Sequence, residues 1–178
     1  FIQVSSIITT TGFSTVDFDL WPTFSKGILI LLMFIGACAS STGGGLKVSR
    51  IIILLKTALK EVRYYLNPRE IRSIRCDGRY VEHSVVTGVS VYLVVYMFVF
   101  AISVFLVSIE SGHDWETCFT AVAACLNNIG PGLAGVGPMC NFDHVSDFAK
   151  CVLSADMLLG RLELFPMLAL CTPAAWRN

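Results

Sequence analysis

The longest uninterrupted apolar stretch of the chain runs from Ser84 to Ile109, 26 residues without a charge. A helix of about 20 apolar residues crosses a hydrocarbon core of about 30 Å. The many β-branched residues would favour a strand in water, but in lipid only a helix or a closed barrel pairs every backbone polar group. The pattern therefore predicts a membrane-spanning helix.

The other apolar segments are short or interrupted. Gly27–Ala39 is too short to span alone and runs into the sequence SSTGGG, residues 40–45. Cys118–Leu126 is about half a membrane thick, which is the length of a re-entrant helix. Cys151–Cys171 is long enough to span, but it contains three charged residues, Asp156, Arg161 and Glu163. These patterns indicate helices that break or turn at membrane depth.

Two short segments resemble each other at an offset of 118 residues. Val4–Ser14 reads VSSIITTTGFS and Val122–Gly132 reads VAACLNNIGPG, so that Gly12 aligns with Gly130. Each has an apolar piece, two polar residues and a glycine turn, and a long apolar segment with a break follows each. We interpret the pair as an internal repeat of helix, half-helix, polar turn and helix. The first unit lacks its leading helix, so we expect the chain to be a piece of a longer protein.

Polar turns at this depth suit a cation pore. Irregular backbone survives inside a membrane only where it is buried in protein or lines a watery cavity. Carbonyl oxygens can replace the water shell of an ion, and the C-terminal end of a half-helix carries partial negative charge. The candidate ion-binding residues are Thr9, Thr10, Thr11, Gly12, Phe13, Asn127, Asn128, Ile129, Gly130 and Pro131. Neither turn holds a carboxylate, which favours a weakly hydrated monovalent cation; alternatively, the Thr and Asn residues are ordinary helix caps.

The composition is that of a membrane protein, with 54% hydrophobic residues, 15% charged residues and a mean hydropathy of +0.69. A soluble domain has about 25% charged residues. The net charge is zero, but nine of the thirteen Lys and Arg residues lie between Lys47 and Arg79. By the positive-inside rule this connector is cytoplasmic. The basic run is either a topology signal alone or also a binding surface.

The sequence contains no residue pattern that indicates catalysis or nucleic-acid binding. The three histidines are scattered, and the seven cysteines form neither a CxxC pair nor a metal-binding spacing. No nucleophile–base set is present, so we expect the chain not to be an enzyme. The basic run is interleaved with membrane segments, which argues against nucleic acid as a partner.

Five stretches together resemble the Trk/Ktr/HKT superfamily of potassium transporters, and in particular its TrkH-type pore subunits: TTTGFS, ASSTGGGLKVSRI, CLNNIGPGL, LLGRLE and TPAAWR. The resemblance implies an all-α membrane protein in which helix–pore-helix–filter–helix repeats form a pseudo-fourfold cation pore. About one and a half of four repeats would be present. Residues 1–66 would belong to the third repeat, 67–83 to a cytoplasmic connector and 84–178 to the fourth repeat.

The same resemblance implies potassium uptake through a gated selectivity filter. It places filter strands at Thr10–Ser14 and Asn128–Gly132 and implies K⁺ binding at Thr10, Thr11, Asn127 and Asn128. K⁺ would be the substrate, and no covalently bound cofactor is expected. A secondary transporter that couples K⁺ to H⁺ or Na⁺ remains an alternative, because discontinuous helices at the midplane suit such proteins too.

Two further features would act as a gate. The glycines Gly43, Gly44 and Gly45 cannot hold a helix well, since each costs about 1 kcal/mol relative to Ala. The resemblance implies an intramembrane loop that obstructs the pore under the filter, whereas a hinge or a close helix crossing is the plainer alternative. Arg161 lies mid-helix in this prediction and would help to gate cations, as a buried intramembrane Arg is functional by default. Asp156 is expected to pair with Lys150 or with a neighbouring helix.

The resemblance also implies the setting. We expect a multi-pass protein of the bacterial inner membrane, in contact with lipid and assembled as a homodimer of pore subunits. A cytosolic nucleotide-binding ring, TrkA-like, would dock below the pore, on the side of the basic connector.

Overall fold

The computed structural model describes residues 1–36, 44–67, 75–76, 79–110, 112, 114–162 and 164–170. Within these ranges the chain forms seven α-helices: α1 (Ile2–Ile8), α2 (Thr23–Phe34), α3 (Val48–Leu66), α4 (His83–Glu110), α5 (Trp115–Leu126), α6 (Asp147–Leu162) and α7 (Leu164–Leu170). Four two-residue strands accompany them: β1 (Ile35–Gly36), β2 (Leu46–Lys47), β3 (Arg75–Cys76) and β4 (Arg79–Tyr80). The predicted all-α fold is confirmed.

Helix α4 is the predicted membrane-spanning helix. His83–Ile109 has a mean hydropathy of 2.5 over its most apolar part, and among the described residues it is the one helix long and apolar enough to cross a membrane. Its 28 residues correspond to about 42 Å at 1.5 Å per residue. Helices α2 and α5 are apolar but have 12 residues each, or about 18 Å.

Helix α5 lies at the centre of the main core, between α4 and α6. Nine of its twelve residues are buried, although several of them are small or carry a hydroxyl group. Small side chains allow helix backbones to approach closely within a membrane. Tyr96 and Phe100 of α4 and Leu153 of α6 pack in the same cluster. Helix α5 is therefore enclosed by the rest of the described protein.

A second apolar cluster joins the two parts of the chain. Ile7 of α1 and Leu29 and Met33 of α2 pack with Ile129 and Leu133, which follow α5. The short α1 is thus held against the segment that comes after the second half-helix. This contact brings together the two turns that the sequence aligned at an offset of 118 residues.

The first of the long apolar segments is interrupted after α2, as the sequence suggested. After α2 the chain continues through β1 to β2, which pair in parallel, and residues 37–43 lie outside the described ranges. In the later segment, Arg161 lies near the C-terminal end of α6 as the structure describes it, and its side chain is exposed. Glu163 lies outside the described residues.

Candidate ion-binding site

The half-helices α1 and α5 end in turns with the same backbone conformation. Each closing residue is close to ψ = 0°: Thr9 has φ −82° and ψ 0°, and Asn127 has φ −92° and ψ 1°. The next residue in each turn, Thr10 or Asn128, has φ +54°. Two residues later, Gly12 has φ +79° and Gly130 has φ +109°. The chain therefore repeats one turn conformation at the predicted offset.

The backbone hydrogen bonds of the two turns also correspond. The amides of Thr9, Thr10 and Thr11 donate to the carbonyls of Ser5, Ile7 and Ser6 at 3.0, 3.1 and 2.9 Å. The amides of Asn127, Asn128 and Ile129 donate to the carbonyls of Ala123, Cys125 and Ala124 at 3.1, 3.1 and 2.9 Å. Bonds that reach back three and five residues around a left-handed residue form a Schellman motif, which closes a helix.

The left-handed position of this motif is usually glycine. Here it is held by Thr10 and Asn128. Asn tolerates positive φ, but a β-branched Thr there is an outlier. Such residues cost about 1–3 kcal/mol, persist only where their surroundings fix them, and cluster at functional sites. Left-handed residues other than glycine at equivalent positions of both turns mark these turns as the candidate site.

The side chains that close the two half-helices act alike. Thr9 Oγ1 donates to the carbonyl of Ser5 at 2.7 Å, and Asn127 Nδ2 donates to that of Ala123 at 2.8 Å. Asn127 is fully buried, and its Oδ1 accepts a hydrogen bond from Tyr96 Oη at 2.7 Å. Its side chain is thus satisfied within the protein and positions the turn.

The two turns are in direct contact at Gly12. A Cβ atom at this position would overlap the carbonyl of Ile129 and lie 3.4 Å from Cδ of Pro131. Both its conformation and this contact therefore require glycine. At Gly130 only the conformation does, since a Cβ there would meet nothing within 4 Å.

A cavity of about 430 Å³ lies beside the turns. The turns contribute Thr10, Thr11, Asn128, Ile129 and Gly130 to its wall. Lys150, Leu153, Ser154 and Met157 of α6 line it as well. Of the remaining predicted site residues, Phe13 is exposed and Pro131 is half-buried.

The segments that return from the turns are held by polar side chains. Thr120 Oγ1 accepts from the amide of Leu133 at 3.1 Å, and Thr117 Oγ1 accepts from that of Gly135 at 3.2 Å. In the first unit, Nε2 of the buried Gln3 donates to the carbonyl of Val16 at 3.2 Å. These anchors fix both turns relative to their half-helices.

Asp19 links the two units outside the half-helices. Its Oδ1 accepts from Lys26 Nζ at 2.7 Å and from the amide of Ala134 at 3.2 Å. The hydrogen bond from Lys26 holds the pKa of Asp19 below its usual value, and the bond from Ala134 acts in the same direction. A carboxylate of the first unit thus holds the segment that follows the second turn.

Glycines pack beneath the second turn. A Cβ at Gly44 would lie 2.6 Å from the carbonyl oxygen of Asn127, and one at Gly45 would lie 2.6 Å from its Oδ1. Gly160 of α6 approaches the carbonyl of Leu126 closely, and Asn128 Nδ2 donates to the carbonyl of Met157 at 3.2 Å. Gly43, the third predicted gate glycine, lies outside the described residues.

Sequence reasoning missed three of the residues that shape this site: Gln3, Tyr96 and Gly160. Gly160 had a signal, because a glycine within a helix often marks a close approach of another backbone. Tyr96 had none, since its partner Asn127 is 31 residues away in a different helix. The expectation for Asp156 is resolved: Ser103 Oγ of α4 donates to its Oδ1 at 2.7 Å. Lys150 instead contacts Asp147 and the carbonyl of Asp143.

Relatives of the chain are named for potassium uptake. The Trk system potassium uptake protein TrkH of Vibrio parahaemolyticus is 43% identical over 176 residues, 99% of this chain. Its counterpart in Escherichia coli K12 is 42% identical over 178 residues, and the Trk system potassium uptake protein TrkG of the same strain is 35% identical over 178, each match covering 100% of this chain. The chain spans 36% of the length of each of these proteins.

A solved structure and a family model agree with these relatives. The crystal structure of the potassium transporter TrkH from V. parahaemolyticus superposes with a TM-score of 0.86 at 42% identity, covering 98% of this chain and 36% of that one. The model of the TrkH family, described as cation transport protein, matches residues 1–175. The resemblance found in the sequence motifs is thereby confirmed, and the chain belongs to the TrkH family of cation transport proteins.

Proposed function

We propose that the two turns, residues 9–13 and 127–131, are adjacent parts of a selectivity filter through which the protein takes up potassium. Their carbonyl oxygens would replace the water around K⁺, as in other potassium filters. The C-terminal ends of α1 and α5 would add partial negative charge. Thr9 and Asn127 would hold the half-helix ends, while Thr10, Thr11 and Asn128 border the cavity beside the turns.

One observation carries this proposal. Two segments 118 residues apart adopt the same turn, with the same hydrogen bonds, and meet directly at Gly12 and Ile129. Ordinary helix caps would explain each turn alone, including its left-handed residue, but not the contact between the two turns. The names of the relatives support K⁺ as the ion.

A gate beneath the filter forms part of the proposal. The close approach of Gly44 and Gly45 to Asn127 supports this part of the proposal. Arg161 follows Gly160, the residue that packs on the end of α5. In the proposed mechanism the loop of residues 43–45 obstructs the path below the filter, and Arg161 repels cations there.

The proposed setting follows the resemblance. The protein would act as a homodimer of pore subunits in the bacterial inner membrane, with a TrkA-like nucleotide-binding ring on the cytoplasmic side. The basic residues of α3, among them Lys56, Lys60 and Arg63, lie within the region predicted to face the cytoplasm. The large exposed apolar side chains of α4, such as Val94, Phe98 and Phe105, suit contact with lipid or with further pore units.

Gly12→Ala tests the filter directly. The left-handed conformation alone costs about 1–2 kcal/mol for a residue with a Cβ, and the new atom would collide with the Ile129 carbonyl. We expect K⁺ uptake by the full-length protein in a transport-deficient strain to fall about tenfold or more.

Gly27→Ala is the matched control, because a Cβ at Gly27 of α2 meets nothing within 4 Å. This variant should support wild-type uptake at equal membrane expression. Wild-type uptake by a normally expressed Gly12→Ala variant would contradict the filter assignment.

The same protein in planar bilayers separates a channel from a coupled transporter. Channel current reverses at the potential set by the K⁺ gradient alone. A reversal potential that moves with an imposed H⁺ or Na⁺ gradient would instead establish coupled transport.

A further inference from the structure

Asp156 has a buried carboxyl group that is not part of the proposed ion path. It lies in the middle of α6 and is 2% exposed. Ser103 of α4 donates to Oδ1 at 2.7 Å, whereas Oδ2 is buried without a hydrogen-bond partner. An unpartnered charge costs far more to bury than a neutral polar group.

No cation among the described residues compensates this carboxyl group. Tyr96 of α4 and Cys125 of α5 are the titratable groups that interact electrostatically with Asp156, and neither side chain can carry a positive charge. Lys150, which lies on the same helix, is engaged with Asp147 and Asp143. A proton on Oδ2 is therefore the species that would remove the unpaired charge.

The surroundings of Asp156 connect it to the second turn. The neighbouring residue, Met157, accepts the hydrogen bond from Asn128 Nδ2 at 3.2 Å through its carbonyl. Gly160, one helical turn further on, packs against the carbonyl of Leu126 at the end of α5. This part of α6 therefore contacts the second turn, and it is also joined to α4 by the hydrogen bond from Ser103.

We propose that Asp156 is a proton-binding site whose occupancy controls the packing of α6 against α4, and through Asn128 the conduction of the filter. The proposal rests on the function proposed above. The protonated form keeps the hydrogen bond from Ser103 and the packing of α6 against α4 seen in this structure. Ionisation would require entry of water or a shift of α6 to solvate the charge. Either change would disturb the hydrogen bond that Asn128 donates to the carbonyl of Met157.

The test compares K⁺ flux with pH in liposomes containing the full-length protein and its Asp156→Asn variant. The wild-type flux should fall about fivefold or more as the pH rises, a change at the lower end of typical coupling between sites. Asp156→Asn should conduct with no such dependence. Asp147→Asn is the control, because Asp147 lies on the same helix with a fully exposed side chain, and its profile should match the wild type. A pH profile retained by Asp156→Asn would overturn the proposal.

Two further measurements cover the cases in which this comparison fails. If Asp156→Asn does not fold, Ser103→Ala should move the midpoint of the flux profile, and an unchanged midpoint would overturn the proposal. If the wild type carries no K⁺, the function proposed above fails, but the proton site is still testable. Infrared spectra should show the carbonyl stretch of a protonated carboxyl group that titrates in the wild type and in Asp147→Asn. Ser103→Ala should shift this band to higher frequency, because it removes the hydrogen bond to the carbonyl oxygen Oδ1. Absence of the band, or a band that Ser103→Ala leaves unchanged, would overturn the site.

Discussion

At the scale of single residues, Thr9 and Asn127 have equivalent functions despite their different chemistry. Each donates from its side chain to a carbonyl four residues earlier, and each precedes a left-handed residue. The sequence indicated that the half-helices end at these two positions, because Thr and Asn favour turns at helix ends. It did not separate the residues that hold the turn from those that border the cavity, since that depends on partners such as Tyr96 from a distant helix.

Tyr96→Phe tests the positioning role of Asn127. The substitution leaves the buried Oδ1 of Asn127 without its donor, which costs about 1–3 kcal/mol. We expect a lower midpoint of thermal unfolding in detergent and weaker discrimination between K⁺ and Na⁺ in flux assays.

Tyr64→Phe provides the comparison, because Tyr64 is largely exposed at the end of α3. It should leave stability and selectivity unchanged. If Tyr96→Phe behaved in the same way, the hydrogen bond to Asn127 would not position the turn.

At the scale of elements, length and polarity predicted the spanning helix and the half-helix before the second turn. The uninterrupted apolar run became α4, and the short run at Cys118–Leu126 became the C-terminal part of α5. Contacts between elements, such as Ser103 with Asp156, lie 53 residues apart and leave no local pattern.

Removal of residues 43–45 tests the glycine-rich loop as an element. If the loop obstructs the path below the filter, the deletion should raise K⁺ flux through the reconstituted protein. The expected increase arises because Gly44 and Gly45 no longer fill the space beneath Asn127.

Gly88→Ala is a suitable control for this experiment, since a Cβ at Gly88 of α4 meets nothing within 4 Å. Its flux should equal that of the wild type. A deletion variant that folds but shows unchanged or reduced flux would indicate a hinge or packing role for the loop.

At the scale of the whole molecule, the central feature is the contact between two units of one chain. Gly12 meets Ile129, the cluster around Ile7 and Leu133 joins the units, and Asp19 reaches the amide of Ala134. Sequence similarity between the two turns predicted that they are equivalent, but it did not predict which atoms meet. The chain spans 36% of the length of its TrkH relatives.

Anomalous diffraction from crystals of the full-length protein in which Tl⁺ replaces K⁺ would locate the ion relative to the two turns. We expect a Tl⁺ peak within coordination distance of the backbone carbonyls of both turns, including those of Thr10 and Asn128, and its displacement by added K⁺. A Tl⁺ peak elsewhere in the protein, with none between the two turns, would show that the turns do not form the filter.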